Sequence, residues 1–150
     1  MIRVGSKESR SGKRTKAQIS FNMSRVRSSG SVIEKRMQLV LRQAHLRARK
    51  QPKMFGRPDF VIPGLKIAIF CDSHFWHGYR WMTKRKEIRR NRAFWMSKIL
   101  GNMRRDRIVN RRLRREGWIV LRFWEHQIMR SSDKCLVRVK RAVARRGNGI

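Results

Sequence analysis

The chain has 150 residues, and its 40 Lys and Arg against 9 Asp and Glu leave a net charge of +31 at pH 7. That length, 40% hydrophobic residues and five tryptophans support one domain with a real core, while the charge favours a polyanionic partner, nucleic acid before a membrane surface. Two cysteines, Cys71 and Cys135, with no C-x-x-C pair exclude a disulfide framework and a thiolate zinc site, and no run approaches the roughly 18 apolar residues of a membrane span.

Residues 1–30 are polar, basic and rich in Ser and Gly, with too little apolar area to order themselves. They read as a flexible arm that settles on nucleic acid, or as a tail with only general affinity. MIRVGSKESRSGKR lacks the apolar core of a secretory signal, so a cytoplasmic or nucleoid-associated, non-secreted protein is expected. A helix starts near Ser31, with Ile33, Met37, Val40, Leu41 and Ala44 at helical spacing. Ser31 and Glu34 fit a capping box, the alternative to a catalytic role for Glu34. LRARKQ reads as a short strand and PDFVI as a second. Pro63–Gly64 makes a turn into a third strand, LKIAIFCD, whose continuous apolar run implies burial on both faces. Residues 79–91 read as a charged loop.

A long helix is expected from Arg92 to Glu116, with Trp95, Ile99, Met103, Val109 and Leu113 as its apolar stripe and Gly117 as its end. WIVLRFWE reads as a further strand. A last helix begins at Ser131 or Ser132 and carries Leu136, Val139 and Val143 inward, with KRAVARRGNGI a basic tail that frays. This order predicts a mixed α/β domain with helices packed on a small sheet.

The chemistry concentrates around FCDSHFWHG, Phe70 to Gly78. Asp59 starts one strand and Asp72 ends the next. If the two pair across Pro63–Gly64, both carboxylates share one sheet edge, where a hard divalent ion such as Mg²⁺ takes oxygen ligands. His77, five residues on, is within reach as general base or acid. The plainer alternative is a pair of strand-end carboxylates ion-paired with the many arginines. Phe75 and Trp76 cannot both face one core from a strand. On a loop beside a metal site they could wedge between base pairs, or one ring could cap the core. Asn102, Arg105 and Asp106 stand on neighbouring turns of the long helix. Asp106 could orient His77, or belong to a solvated arginine-rich face.

NMSRVRSSGSVIEKRM, GRPDFVIP, KIAIFCDSHFWHG, FWMSKILGNMRRDR and GWIVLRFWE together resemble the very-short-patch-repair (Vsr-type) DNA mismatch endonucleases, from about Asn22 to Glu125. The resemblance implies a restriction-endonuclease-like fold, a small mixed central sheet flanked by helices. It implies a basic DNA-binding arm over 1–30, an endonuclease domain over 31–146 and a tail over 147–150. The implied activity is Mg²⁺-dependent nicking of one strand of double-stranded DNA, 5′ to the thymine of a T:G mismatch.

Residue by residue, Asp59 matches the central metal-binding aspartate. Asp72 stands where the best-known members have histidine and relatives also have aspartate. Cys71 stands where threonine is common, at a position whose backbone carbonyl serves the metal. His77 matches the catalytic histidine, Phe75 and Trp76 the intercalating aromatics, and Met23 a wedge residue of the arm. Glu34 and Asp106 match recurrent acidic positions. Arg25, Arg27, Arg57, Asn102 and Arg105 are read as DNA-binding. The family's structural zinc is not expected: His74 and His126 occupy two of its places, but Tyr79 and Trp81 fall near the others, and an aromatic packing substitute is expected instead.

Two other functions compete. A Vsr-like homing or phage endonuclease would run the same chemistry on an unmismatched target, as a dimer or by paired nicks, whereas a repair nickase suits a monomer. A non-enzymatic basic nucleic-acid-binding protein would bind in a salt-sensitive way without metal-dependent cleavage.

Overall fold

Residues 32–148 are described in a computed structural model of the chain. The arm over 1–30 with Met23, Arg25 and Arg27, and the Ser31 half of the capping box, lie outside the described residues.

Helix α1 covers residues 32–43 and buries Ile33, Met37, Val40 and Leu41 as their spacing predicts, with Ala44 half-buried just beyond. Of LRARKQ only β1 (Arg49–Lys50) forms a strand. It pairs antiparallel with β2 (Phe60–Ile62), which pairs antiparallel with β3 (Ile67–Asp72) across a 3₁₀ turn at Pro63–Leu65. Strand β4 (Ile119–Trp124) lies parallel to β3, giving the order β1-β2-β3-β4. The mixed sheet flanked by helices is the expected architecture.

The apolar run of β3 is buried on both faces because β3 is an inner strand with helices above and below. Ile67 and Ile69 join Phe60, Ile62 and Phe123 in a core under α1 and α5 (Ser132–Gly147). Ala68 and Phe70 meet Val61, Val109 and Leu113 in a second core under α3 (Arg92–Arg115). Truncating one fully buried member, such as Ile69, costs about 2–5 kcal/mol. Helix α3 has 24 residues, about 36 Å. It stops at Gly117, whose φ of 86° lets Trp118 N donate to Leu113 O at 2.9 Å.

Three local expectations are corrected. Residues 79–91 are not simply a loop: α2 (Trp81–Lys84) and a 3₁₀ turn (Arg85–Glu87) form there, and Arg92 Nη1 ties them to α3 by donating to Arg85 O at 2.8 Å. Helix α4 (Glu125–Arg130) follows β4 directly; Gln127 Oε1 accepts from Trp124 N at 2.9 Å, and six residues are too few to show a periodicity. The basic tail does not fray from Lys140, since α5 continues to Gly147 with Ala142 buried. In α5 the fully buried residues are Cys135, Val139 and Ala142, with Leu136 and Val143 packed partly against them. Among the described residues no helix is long and apolar enough to cross a membrane.

Candidate active site

Strand alternation decides which side chains meet. On β3, Ala68 and Phe70 face α3, and so does Asp72 two residues on. On β2, Val61 faces α3, which places Asp59, just before the strand, on the same side. On β4, Val120 faces α3, and Arg122, in register with Phe70, lays its guanidinium over the Phe70 ring at 4.0 Å. Asp59, Phe70 and Asp72, with His77 and the α3 residues Asn102, Arg105 and Asp106, surround a cavity of about 350 Å³ that Gly56 and Arg57 also line. Gly56 is required there. Its φ is 80°, and a Cβ would collide with the side chain of Val109.

Asp59 and Cys71 are joined by the hairpin. Cys71 N donates to Asp59 Oδ2 at 2.6 Å. In an extended strand a residue's N–H and C=O point to the same edge, so the Cys71 carbonyl faces Asp59 too. The Cys71 side chain lies on the other face, packed against the core under α1 and α5. Burial pushes the Asp59 carboxyl from 3.8 up to about 6; the Cys71 N–H opposes the rise, and the charges of Glu34 and Asp72 add to it. Glu34 itself pairs with Lys50 at 3.6 Å and accepts from Gln51 Nε2 at 3.5 Å.

His77 Nδ1 lies 2.7 Å from Asp106 Oδ2 and 3.7 Å from Asp72 Oδ1. An ionised carboxylate only accepts, so Nδ1 carries the proton and Nε2 is the basic nitrogen. Burial depresses the His77 imidazole, but the Asp106 hydrogen bond and the charges of Asp72 and Asp106 outweigh it and raise it above 6.5. Asp72 is buried, which raises its carboxyl against the opposing charges of His77 and Arg122. Ligand atoms of Asp72, His77 and Asp106 lie within 4.8 Å of one another. A guanidinium already serves two of them: Arg122 Nη1 reaches Asp72 Oδ1 and Oδ2 at 3.0 and 3.1 Å, and Nη2 reaches Asp106 Oδ1 at 3.3 Å. Arg122 thus occupies both oxygens of Asp72, whereas Asp59 accepts from Cys71 N.

The loop between β3 and α2 carries the aromatics. Phe75 is 41% exposed, so it does not cap the core. It meets Trp76 edge-on at 5.2 Å, and Trp95 of α3 closes the cluster at 5.4 Å from Phe75 and 5.8 Å from Trp76. Asn102 Nδ2 donates to Trp76 O at 3.1 Å and fixes the loop on α3. Gly78, at φ 69°, lies against Met103 with no room for a Cβ. Beneath the loop, His74 Nε2 and His126 Nδ1 are 2.7 Å apart, His74 N donates to Glu125 Oε1 at 2.9 Å, and the Tyr79 ring stacks on His74 at 4.3 Å and meets Trp124 edge-on at 5.1 Å.

The fold thus brings Asp59, Cys71, Asp72, His77, Asn102, Arg105 and Asp106 to one cavity. It sets Phe75 and Trp76 beside that cavity and Arg57 at its rim. Glu34 does not line it, but its charge raises Asp59 and Cys71. Two residues escaped the sequence reading. Trp95 read as core stripe, and its spacing gave no hint of the loop it meets. Arg122, within an apolar strand, was a usable signal: a lone charge in IVLRFW needs partners once β4 is placed inside the fold.

Comparison with known proteins points to DNA endonucleases. The family profile of the DNA mismatch endonuclease Vsr matches residues 11–83. The type II nicking enzyme V.NmeDIP of Neisseria meningitidis serogroup C is 46% identical over 99 residues, covering 65% of this chain and 67% of that protein. The type II nicking enzyme V.HpaIIP of Haemophilus parainfluenzae is 40% identical over 102 residues, covering 67% and 72%. The DNA mismatch endonuclease Vsr of Escherichia coli (strain K12) is 37% identical over 111 residues, covering 73% and 70%. With a histidine–aspartate pair and a buried aspartate around one cavity, and relatives of this kind over about two thirds of its length, the chain belongs to the Vsr family of DNA endonucleases.

Proposed function

We propose that this endonuclease nicks one strand of double-stranded DNA beside a T:G mismatch, with Mg²⁺ as its metal. The observation that carries the reading is the His77–Asp106 pair at 2.7 Å, opening on the same cavity as Asp59. The names of the relatives, one a mismatch endonuclease and others nicking enzymes, support the single nick and the mismatch.

Asp59 suits a hard cation: a carboxylate raised to about 6 by burial among other acids gains most from a bound positive charge. Asp59 and the Cys71 carbonyl would hold Mg²⁺, with phosphate oxygens and waters completing its shell. When bound, the ion polarises the scissile phosphate and neutralises charge on the leaving oxygen. His77 Nε2 takes a proton from the attacking water, and Asp106 stabilises the imidazolium that forms. The water oxygen bonds to phosphorus as the P–O3′ bond breaks, leaving a 5′-phosphate and a 3′-oxygen that takes a proton from solvent to become a hydroxyl. Phe75, Trp76 and Trp95 present an aromatic wedge to a base step, and a mismatched step is cheaper to open than a paired one. The basic arm and surface grip phosphates. One such cavity among the described residues suits a monomer that makes one cut.

The test compares duplexes differing only in T:G against T:A, with Mg²⁺ or EDTA, for wild type and Asp59→Ala. The expected result is a Mg²⁺-dependent nick beside the T:G pair, absent in the variant, whose DNA binding is kept or improved. Equal cutting of both duplexes would overturn the mismatch specificity, and cutting by Asp59→Ala at the wild-type rate would remove Asp59 from the site.

A further inference from the structure

Every nitrogen of Arg122 is committed within the fold. Nε donates to Asn110 Oδ1 at 2.7 Å, Nη1 to both Asp72 oxygens, and Nη2 lies 3.3 Å from Asp106 Oδ1, with the plane resting on Phe70. Its side chain is only 18% exposed. An arginine bound in this way is no phosphate grip. Its planar fork holds several acceptors at fixed angles.

What it holds is the choice of partner for His77. Two carboxylates stand near His77 Nδ1, Asp106 at 2.7 Å and Asp72 at 3.7 Å. One N–H can be well directed at only one of them, and the imidazole turns with that choice. Arg122 takes both oxygens of Asp72 and only one of Asp106, which leaves Asp106 Oδ2 for His77. Fixing a carboxylate at both ends also fixes the ring it orients, as outer-shell acids do for functional histidines.

We propose that Arg122 is a positioning residue for the reaction: it restrains Asp72 and anchors Asp106, so that Asp106 alone accepts from His77 Nδ1 and Nε2 is held toward the reacting water. This rests on His77 acting as the general base of the proposed nicking reaction. A lysine cannot replace Arg122, because one ammonium cannot span Asn110, Asp72 and Asp106 together. The device is internal to this chain: an acid at position 72 brings a rival acceptor to His77, and the arginine neutralises that rival.

The test uses Arg122→Met, Arg122→Lys and the double variant Arg122→Met/Asp72→Asn. It has two readouts: nicking kinetics on a T:G duplex with Mg²⁺, and the ¹H–¹⁵N NMR signals of the His77 ring in metal-free protein. Both single variants are expected to lose about 10²-fold in kcat, the effect of a misplacement of about 1 Å, with KM for DNA close to wild type. The Nδ1–H signal of His77 should shift in both. The double variant, which removes the rival charge as well, should recover about tenfold over Arg122→Met, a coupling ordinary for residues in contact. A wild-type kcat in Arg122→Met, a loss confined to KM, or an unmoved His77 signal would each overturn the proposal. If Arg122→Met does not fold, Arg122→Lys carries both readouts. If the wild type nicks no T:G duplex, the mismatch reading fails, while the His77 signal, which needs no substrate, still decides the role of Arg122.

Discussion

Replacing Asp59 with asparagine should stabilise the metal-free protein while abolishing its nicking. Asp59 is half-buried and feels the charges of Glu34 and Asp72, and its carboxyl rises from 3.8 to about 6 despite the bond from Cys71 N. The folded carboxyl therefore holds its proton more tightly than the unfolded one. Its contribution is fully present below pH 3.8 and is lost as pH rises through about 6. At roughly 1.4 kcal/mol for each pH unit, the cost above that window is about 3 kcal/mol. An asparagine keeps an oxygen for the Cys71 N–H and removes the charge. Urea melts in EDTA from pH 4 to pH 8 are the assay. The Asp59→Asn variant should match wild type near pH 4 and exceed it by up to about 3 kcal/mol at pH 8, on the order of 10 °C in Tm. Mg²⁺ at about a hundred times its Kd should return roughly 2.7 kcal/mol to the wild type and nothing to the variant. Equal stability at pH 8, or a gain that does not shrink toward pH 4, would refute the view of Asp59 as an unneutralised charge kept for a cation.

Other consequences can be measured directly. Nicking should rise with pH through a value above 6.5, since His77 must be neutral to act as a base, and Asp106→Asn should move that limb to lower pH while lowering kcat, because it removes the bond that raises His77; an unmoved limb would show that another group titrates. Phe75→Ala with Trp76→Ala should reduce nicking of T:G DNA far more than DNA affinity, and a base analogue at the target step should then show no fluorescence rise on binding; an undiminished rise would exclude the wedge. Prolonged zinc chelation at constant Mg²⁺ should leave the melting temperature unchanged, because Tyr79 brings a ring rather than a metal ligand beside His74 and His126, and these rings and Trp124 pack on one another; a fall of several degrees would mean that a metal supports the loop.

Much of the architecture was legible because it is local. The 3.6-residue spacing of Ile33, Met37, Val40 and Leu41 set the inner face of α1, and the unbroken apolar run to Phe70 announced an inner strand. Gly117 marked the end of α3 through its left-handed backbone. What escaped was short or capped by a distant atom: α4 turns on one glutamine side chain, and the 79–91 segment folds because Arg92 reaches back to Arg85.

The candidate site divides in the same way. The sequence by itself determined the chemical cast: the scarce acids Asp59 and Asp72 at strand ends, His77 beside Phe75 and Trp76, and a charge that favours nucleic acid. Their kinds and spacing are properties of the chain alone. Only the tertiary structure decided who meets whom. Parallel pairing of β3 with β4 set Arg122 opposite Phe70 and within reach of Asp72, and the crossing of α3 over that sheet face brought Asp106 to His77 and Trp95 to the aromatic loop. These contacts span 20 to 52 positions of chain. Neither periodicity nor propensity acts over such distances; strand register and helix packing do, because each fixes a whole face of side chains at once.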